Sequence, residues 1–119
     1  MPATLEITPK TKRPAGERWD HPPEKPDVSP SQATDIAGLA KALSDPVRVQ
    51  LVDVLRTYPG QLCPCELLPL FDISQPTLAD HLKVLRNAGI LGSEKHGLFV
   101  YYYVQPGALD PITGFLGAG

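Results

Sequence analysis

Cys63 and Cys65 are the two cysteines of this 119-residue sequence, and Pro64 alone separates them. Paired thiolates are soft ligands that suit thiophilic species: trivalent arsenic or antimony, cadmium, mercury. Proline fits the first turn of a helix, where its missing N–H costs nothing. Both sulfurs then lie at the positive end of that helix, which favours thiolate. Two alternatives stand beside this reading. The pair can be small buried hydrophobes, or a redox couple in which Cys63 and Cys65 oxidise. Inside one helical turn a Cys-x-Cys bridge would be strained, so oxidation requires local unwinding. Cysteines this close make a poor long-range staple, and a reduced, cytoplasmic protein is expected.

The other chemistry-bearing residues do not form an enzyme site. No nucleophile–base pair, paired carboxylates or phosphate loop is present, so no catalytic residues are assigned. His21, His81 and His96 are too scattered to suggest a zinc site. A different cluster, Gln75, Thr77, Asp80 and His81, falls on the polar side of a segment whose apolar stripe is Leu78, Leu82 and Leu85. Gln can read adenine, and Thr and His reach base edges or phosphates. Lys83, Arg86 and Lys95 are candidate phosphate contacts, with His96 at the tip of the wing.

The elements that must position these groups follow from periodicity and capping. Ser31 is expected to cap a first helix carrying Ile36, Leu39, Ala40 and Leu43. Asp45-Pro46 opens a second, with Val47, Leu51, Val54, Leu55 and Tyr58 on one face. A short helix runs roughly from Pro64 to Phe71, with Leu67, Leu68, Leu70 and Phe71 as core candidates. Ser74 caps a fourth helix, Gln75 to Asn87, and Gly89 suits its C-terminal end. Ile90 to Glu94 and Leu98 to Val104 read as a β-hairpin turning at Lys95-His96-Gly97. A last short helix carries Ala108, Leu109, Ile112, Phe115 and Leu116. Two short helices joined by a tight turn and followed by a hairpin predict a mainly α (α+β) winged helix-turn-helix with a β-hairpin wing.

Two segments carry a family resemblance. Ala42-Leu43-Ser44-Asp45-Pro46-Val47-Arg48, and then Ile73-Ser74-Gln75-Pro76-Thr77-Leu78-Ala79-Asp80-His81-Leu82-Lys83-Val84-Leu85-Arg86-Asn87-Ala88-Gly89-Ile90, resemble the ArsR/SmtB family of metal- and metalloid-responsive repressors. The likeness runs from about Ile36 to Val104. It implies a homodimer joined through its first and last helices, bound to a palindromic double-stranded DNA operator and released by an inducer. Ser74, Gln75, Thr77, Asp80 and His81 fall at DNA-reading positions. Asp80 departs from the usual small or neutral polar residue; a carboxylate repels phosphate but accepts from cytosine N4.

Leu62-Cys63-Pro64-Cys65-Glu66-Leu67 resembles the thiol site of arsenical repressors, so Cys63 and Cys65 are the expected metalloid ligands. Many relatives supply a third cysteine one turn on, where this chain has Leu68. A three-thiolate site within one subunit is therefore impossible here. Either a non-sulfur ligand completes the site or the inducer needs two thiols, as a monosubstituted organoarsenical does. The zinc site that some relatives carry on the last helix lacks its ligands, Asp110 being the one candidate there. The resemblance thus implies a repressor of an arsenic or antimony resistance operon, with no constitutive cofactor and the inducer, inorganic or organic, as its ligand. A cadmium or mercury sensor, a thiol redox repressor, and a non-sensing module that packs a partner on Tyr101-Tyr102-Tyr103 are the alternatives.

Length and charge bound the rest. Residues 31–119 suffice for one domain, and no apolar run approaches a membrane span. The N-terminus does not read as a secretory signal. Net charge is -2, with six basic residues against eight acidic ones from Ser31 onward. DNA binding therefore needs a dimer that gathers its cations on one face. Residues 1–30 hold seven of the fourteen prolines and read as a flexible arm, with Trp19 as a possible anchor.

Overall fold

The computed structural model of the chain describes residues 15–16, 18 and 20–117, so Trp19 and most of the expected arm lie outside the described residues. From Asp20 to Ser29 the chain makes only bends and irregular backbone, as its prolines require.

Helix α1 spans Pro30–Ala42. Its cap is Ser29 rather than the expected Ser31. Ser29 Oγ accepts from the Gln32 N–H at 3.1 Å, and Gln32 Oε1 accepts from the Ser29 N–H at 2.9 Å. With Pro30 at the first helical position this capping box outcompetes a start two residues later. Helix α2, Pro46–Thr57, begins as expected: Asp45 Oδ1 accepts from the Val47 and Arg48 N–H groups at 2.8 and 3.3 Å. Leu51, Val52 and Leu55 are buried, whereas Tyr58 stays exposed.

The expected helix from Pro64 to Phe71 is shorter. Helix α3 covers Pro64–Leu67 and passes into a 3-10 turn, Leu68–Leu70. Pro69 has no N–H to give the Cys65 carbonyl, so an α-helical ladder cannot continue. Leu67 is fully buried, but Leu70, expected in the core, is 58% exposed.

Helix α4, Gln75–Asn87, buries Leu78, Leu82 and Leu85. It ends in a Schellman turn: Gly89 at φ 79° donates to the Arg86 carbonyl, and Ile90 to the Leu85 carbonyl. Strand β1, Leu91–His96, pairs antiparallel with β2, Phe99–Val104, from Leu91↔Val104 to His96↔Phe99. The turn is Gly97-Leu98, not Lys95-His96-Gly97. A two-residue loop with positive φ at Gly97 suits the strand twist and leaves Lys95 and His96 in the ladder. Helix α5, Asp110–Gly117, packs on α1. One core, built from α1, α2, α3, α4 and the base of the hairpin, joins all of this into a winged helix-turn-helix.

Candidate nucleic-acid interface and thiol site

Helix α4 presents its polar side by burying Leu78, Leu82 and Leu85. At 3.6 residues per turn the centre of the outer face is Asp80, with Pro76, Lys83 and Asn87 beside it. Gln75 and Arg86 lie on one flank, Thr77 and His81 on the other. Gln75, Thr77, Asp80, Lys83 and Arg86 are all exposed. Ser74 is exposed too, but its hydroxyl works within the cap: Oγ accepts from the Thr77 N–H at 3.3 Å and donates to Thr77 Oγ1 at 2.9 Å. His81 is half-buried. Its Nδ1 faces Arg48 Nη1 at 3.3 Å, so one ring nitrogen is already engaged inside the protein.

Arg48 is a residue whose part the spacing did not reveal. Its Nε donates to the Ala42 carbonyl at 2.7 Å, and it reaches the Lys41 carbonyl at 3.5 Å. It thereby joins the end of α1 to α4 from the first turn of α2. Asp45 sits in the same cluster. Burial pushes its carboxyl pKa up, but the backbone N–H groups of Arg48 and Val47, with the charge of His81 when its ring is protonated and the charge of Arg48, outweigh this and hold it below the ordinary value.

On the wing, Lys95 is exposed, and His96 Nε2 lies 3.1 Å from Glu94 Oε2 with its ring edge-on to Tyr101. His96 is thus one residue short of the tip. The tip itself carries Leu98, 96% exposed, beside Phe99, 56% exposed. Hydrophobic patterning counts these as strand core, so it gave no sign of them.

The two cysteines straddle the start of α3. Cys63 is its N-cap in extended backbone, φ -85° and ψ 160°, and is 4% exposed; Cys65 lies in the first turn and is exposed. The structure joins them in a disulfide, with Cα atoms 5.3 Å apart, inside the ordinary range for such a bond. The unwinding expected to be needed for this is already built in, because Cys63 precedes the helix instead of lying within it. Two features weaken the expected thiolate-favouring field. The helix behind the pair is a single turn, and Glu66 brings its carboxylate back to accept from the Cys63 N–H at 3.1 Å. Immediately before the pair, Leu62 makes a backbone bridge to Tyr102 of β2: the Leu62 N–H donates to the Tyr102 carbonyl at 3.1 Å, and the Tyr102 N–H to the Leu62 carbonyl at 2.7 Å. Among the described residues no three His, Cys, Asp or Glu side chains cluster as a metal site.

The sequence matches the arsR family of bacterial regulatory proteins over residues 45–93, from the Asp45 cap through both cysteines and α4 into β1. A cadmium resistance transcriptional regulatory protein CadC homolog from Staphylococcus aureus is 38% identical over 78 residues, 66% of this chain and 64% of its own length. An arsenical resistance operon repressor from Staphylococcus xylosus is 37% identical over 79 residues, 66% of this chain and 74% of its own. This chain belongs to the ArsR family. An ArsR-like transcriptional regulator from Rhodococcus sp. RHA1 has the same fold, with a TM-score of 0.64 at 23% identity over 74% of this chain and 81% of that one.

ArsR-family membership makes the protein a DNA-binding transcriptional regulator, not an enzyme. Family and fold together support a homodimer. Among the described residues no helix is long and apolar enough to cross a membrane. In this ArsR-family chain the cysteine loop, the outer face of α4 and the wing are three neighbouring parts of one framework, with Leu62–Tyr102 as the hydrogen-bonded link between the first and the last.

Proposed function

We propose that the protein is a cytoplasmic homodimeric repressor of an arsenic or antimony resistance operon, released from an inverted-repeat operator when a trivalent arsenical binds Cys63 and Cys65. The observation that carries this reading is that Cys63 and Cys65 stand together at the start of α3, Cα atoms 5.3 Å apart, with Cys65 exposed. A cellular thiol reductant must first open their disulfide by two electrons and two protons, and the two thiols then bind arsenic with loss of those protons. The arsenical resistance repressor of Staphylococcus xylosus among the relatives supports the same ligand class. Dimerisation is supported by α5, which packs on α1 and leaves Phe115 and Leu116 exposed in the single chain. Gln75, Thr77, Asp80 and His81 read bases, Ser74 holds the helix start, and Lys83, Arg86, Lys95 and His96 contact the backbone. Asp80, central on the outer face, favours a cytosine amino group over a phosphate.

Two sulfurs satisfy two of the three positions of trivalent arsenic. Arsenite must keep a hydroxide or recruit a non-thiol ligand, whereas a phenyl or methyl arsenical fills the third position with carbon. The organic form therefore induces at least as well as arsenite. Cadmium, the metal named for the Staphylococcus aureus relative, needs more ligands than this pair offers.

A second reading is favoured by the disulfide itself: a peroxide-class oxidant takes two electrons from the reduced pair, its O–O bond breaks as the S–S bond forms, and the two thiol protons end on the oxygens that leave as water or alcohol. Fluorescence anisotropy of labelled operator separates the two. The expected result is release by phenylarsine oxide and arsenite, lost in both Cys63→Ser and Cys65→Ser while repression persists. Release by hydrogen peroxide alone transfers the function to the redox pair. Unchanged arsenical release in both serine variants overturns the proposal.

A further inference from the structure

We infer that Arg48 is a positioning residue for DNA reading: it fixes the neutral His81 ring with its proton on Nε2, so that His81 meets the operator as a hydrogen-bond donor. The inference rests on the reading of α4 as the DNA-facing helix. A guanidinium has five N–H donors, no acceptor, and stays protonated. The contact between Arg48 Nη1 and His81 Nδ1 at 3.3 Å therefore requires Nδ1 to be the acceptor. In a neutral imidazole with Nδ1 accepting, the proton is on Nε2. The partner cannot easily swing away. Arg48 Nε is held by the Ala42 carbonyl at 2.7 Å, where α1 is buried, and Nη2 reaches the Lys41 carbonyl. A planar fork held at one edge directs its remaining N–H at a fixed angle. Lysine, with one nitrogen on a flexible stem, cannot serve α1 and α4 in that way.

The consequence concerns what His81 can recognise. As a donor it pairs with an acceptor: purine N7, guanine O6, thymine O4 or a phosphate oxygen. It rejects the amino groups of cytosine and adenine at the same place. Arg48 also makes the orientation of this reader depend on the end of α1, a helix of the proposed dimer interface.

Nitrogen-15 NMR of the imidazole in the free protein tests the protein-internal half without DNA. At about pH 8, above the ordinary histidine range, His81 should show a single Nε2–H form in wild type and a mixture of tautomers in Arg48→Leu. A mixture in wild type, or an unchanged spectrum in Arg48→Leu, overturns the inference. The DNA half uses a site selected by the wild-type protein from random duplexes. Arg48→Leu should lower affinity for that site about tenfold, equivalent to roughly 1.4 kcal/mol. In a His81→Ala background the same change should cost less than about twofold; equal losses in both backgrounds overturn the inference. Arg48→Lys, which retains the charge, serves as a second variant if the leucine variant does not fold, and should lose the His81 signature likewise. Sites with 7-deazapurines, with 2-aminopurine for guanine or with 5-methyl-2-pyrimidinone for thymine locate an N7, O6 or O4 acceptor, and methylphosphonate sites a phosphate acceptor; wild type insensitive to all four refutes the donor role. Failure to select any site refutes the proposed function instead and leaves the NMR result standing.

Discussion

Replacing Gly89 by alanine tests how the recognition helix hands the chain to the wing. Gly89 stands at φ 79°. Two bonds depend on that turn, its own N–H to the Arg86 carbonyl at 3.0 Å and the Ile90 N–H to the Leu85 carbonyl at 3.1 Å. A Cβ built there meets nothing within 4 Å, so the environment adds no clash. What remains is the cost of a left-handed L-residue, roughly 1–2 kcal/mol. A small domain loses about 4–8 °C per kcal/mol, which gives a fall in Tm of roughly 5–15 °C. Asparagine tolerates this backbone region better and should lose clearly less. The assay is circular dichroism melting of reduced protein at one fixed concentration, since a dimer's Tm depends on concentration. Alanine and asparagine variants that both melt within about 2 °C of wild type would refute the argument, because the turn would then have another conformation.

If Lys83, Arg86 and Lys95 contact phosphates in both subunits, log K against log salt should have a slope of about -5, and Lys83→Ala should reduce its magnitude by about 2; an unchanged slope removes Lys83 from the interface. In the reduced protein iodoacetamide should modify exposed Cys65 well before buried Cys63, read by peptide mass spectrometry. Equal rates would mean the loop opens. The carboxyl of Asp45 is held below its ordinary pKa. Its stabilising contribution is therefore present above the unfolded value near 3.9 and is lost as pH falls through the lower folded value; Asp45→Asn should flatten the acid limb of a stability–pH curve and leave its neutral part parallel. Phenylarsine oxide should speed hydrogen exchange at the Leu62 and Tyr102 amides more than at those of Leu78 to Leu85, and the reverse order would place the response in α4.

Where one local signal dominated, the sequence was legible. The stripe of Leu78, Leu82 and Leu85 and the caps at Asp45, Ser74 and Gly89 define α2 and α4 by themselves, and the structure has them there. Element ends went wrong where two signals competed. Ser29 and Ser31 both precede an apolar stripe, and only the reciprocal bond with Gln32 separates them. Gly97 marked the hairpin turn correctly, but its positive φ leaves Lys95 and His96 in the ladder, which strand composition does not reveal. Pro69 breaks α3 at a place where the leucines around it suggest a helix running on to Phe71. In the candidate site, periodicity identified the outer face of α4 but not that Arg48, 33 residues away, engages His81. Long-range polar contacts leave no periodic trace in a single sequence. Leu98 shows the converse: a residue type usual in cores sits 96% exposed at the turn of the wing.

The backbone around the cysteines changes where a switch of this kind acts. One route for a ligand on Cys63 and Cys65 is to distort the first helix of the helix-turn-helix and through it the recognition helix. That helix is one turn long, and α3 lies against β2. Leu62, the residue before Cys63, exchanges two backbone hydrogen bonds with Tyr102 in the middle of β2. These two bonds, 3.1 and 2.7 Å long, weaken steeply with distance and angle, so a displacement of Leu62 must either carry Tyr102 with it or break them. Closing a ring through two sulfurs and one arsenic constrains the extended backbone at Cys63, and the adjoining residue is Leu62. On the proposed arsenical site the wing is expected to move first, taking Lys95 and His96 with it, while α4 keeps its burial of Leu78, Leu82 and Leu85. Withdrawal of Lys95 from both subunits is then expected to lower affinity for all DNA. Under the proposed function, an inducer is thus expected to weaken the grip of the dimer before it alters which bases are read.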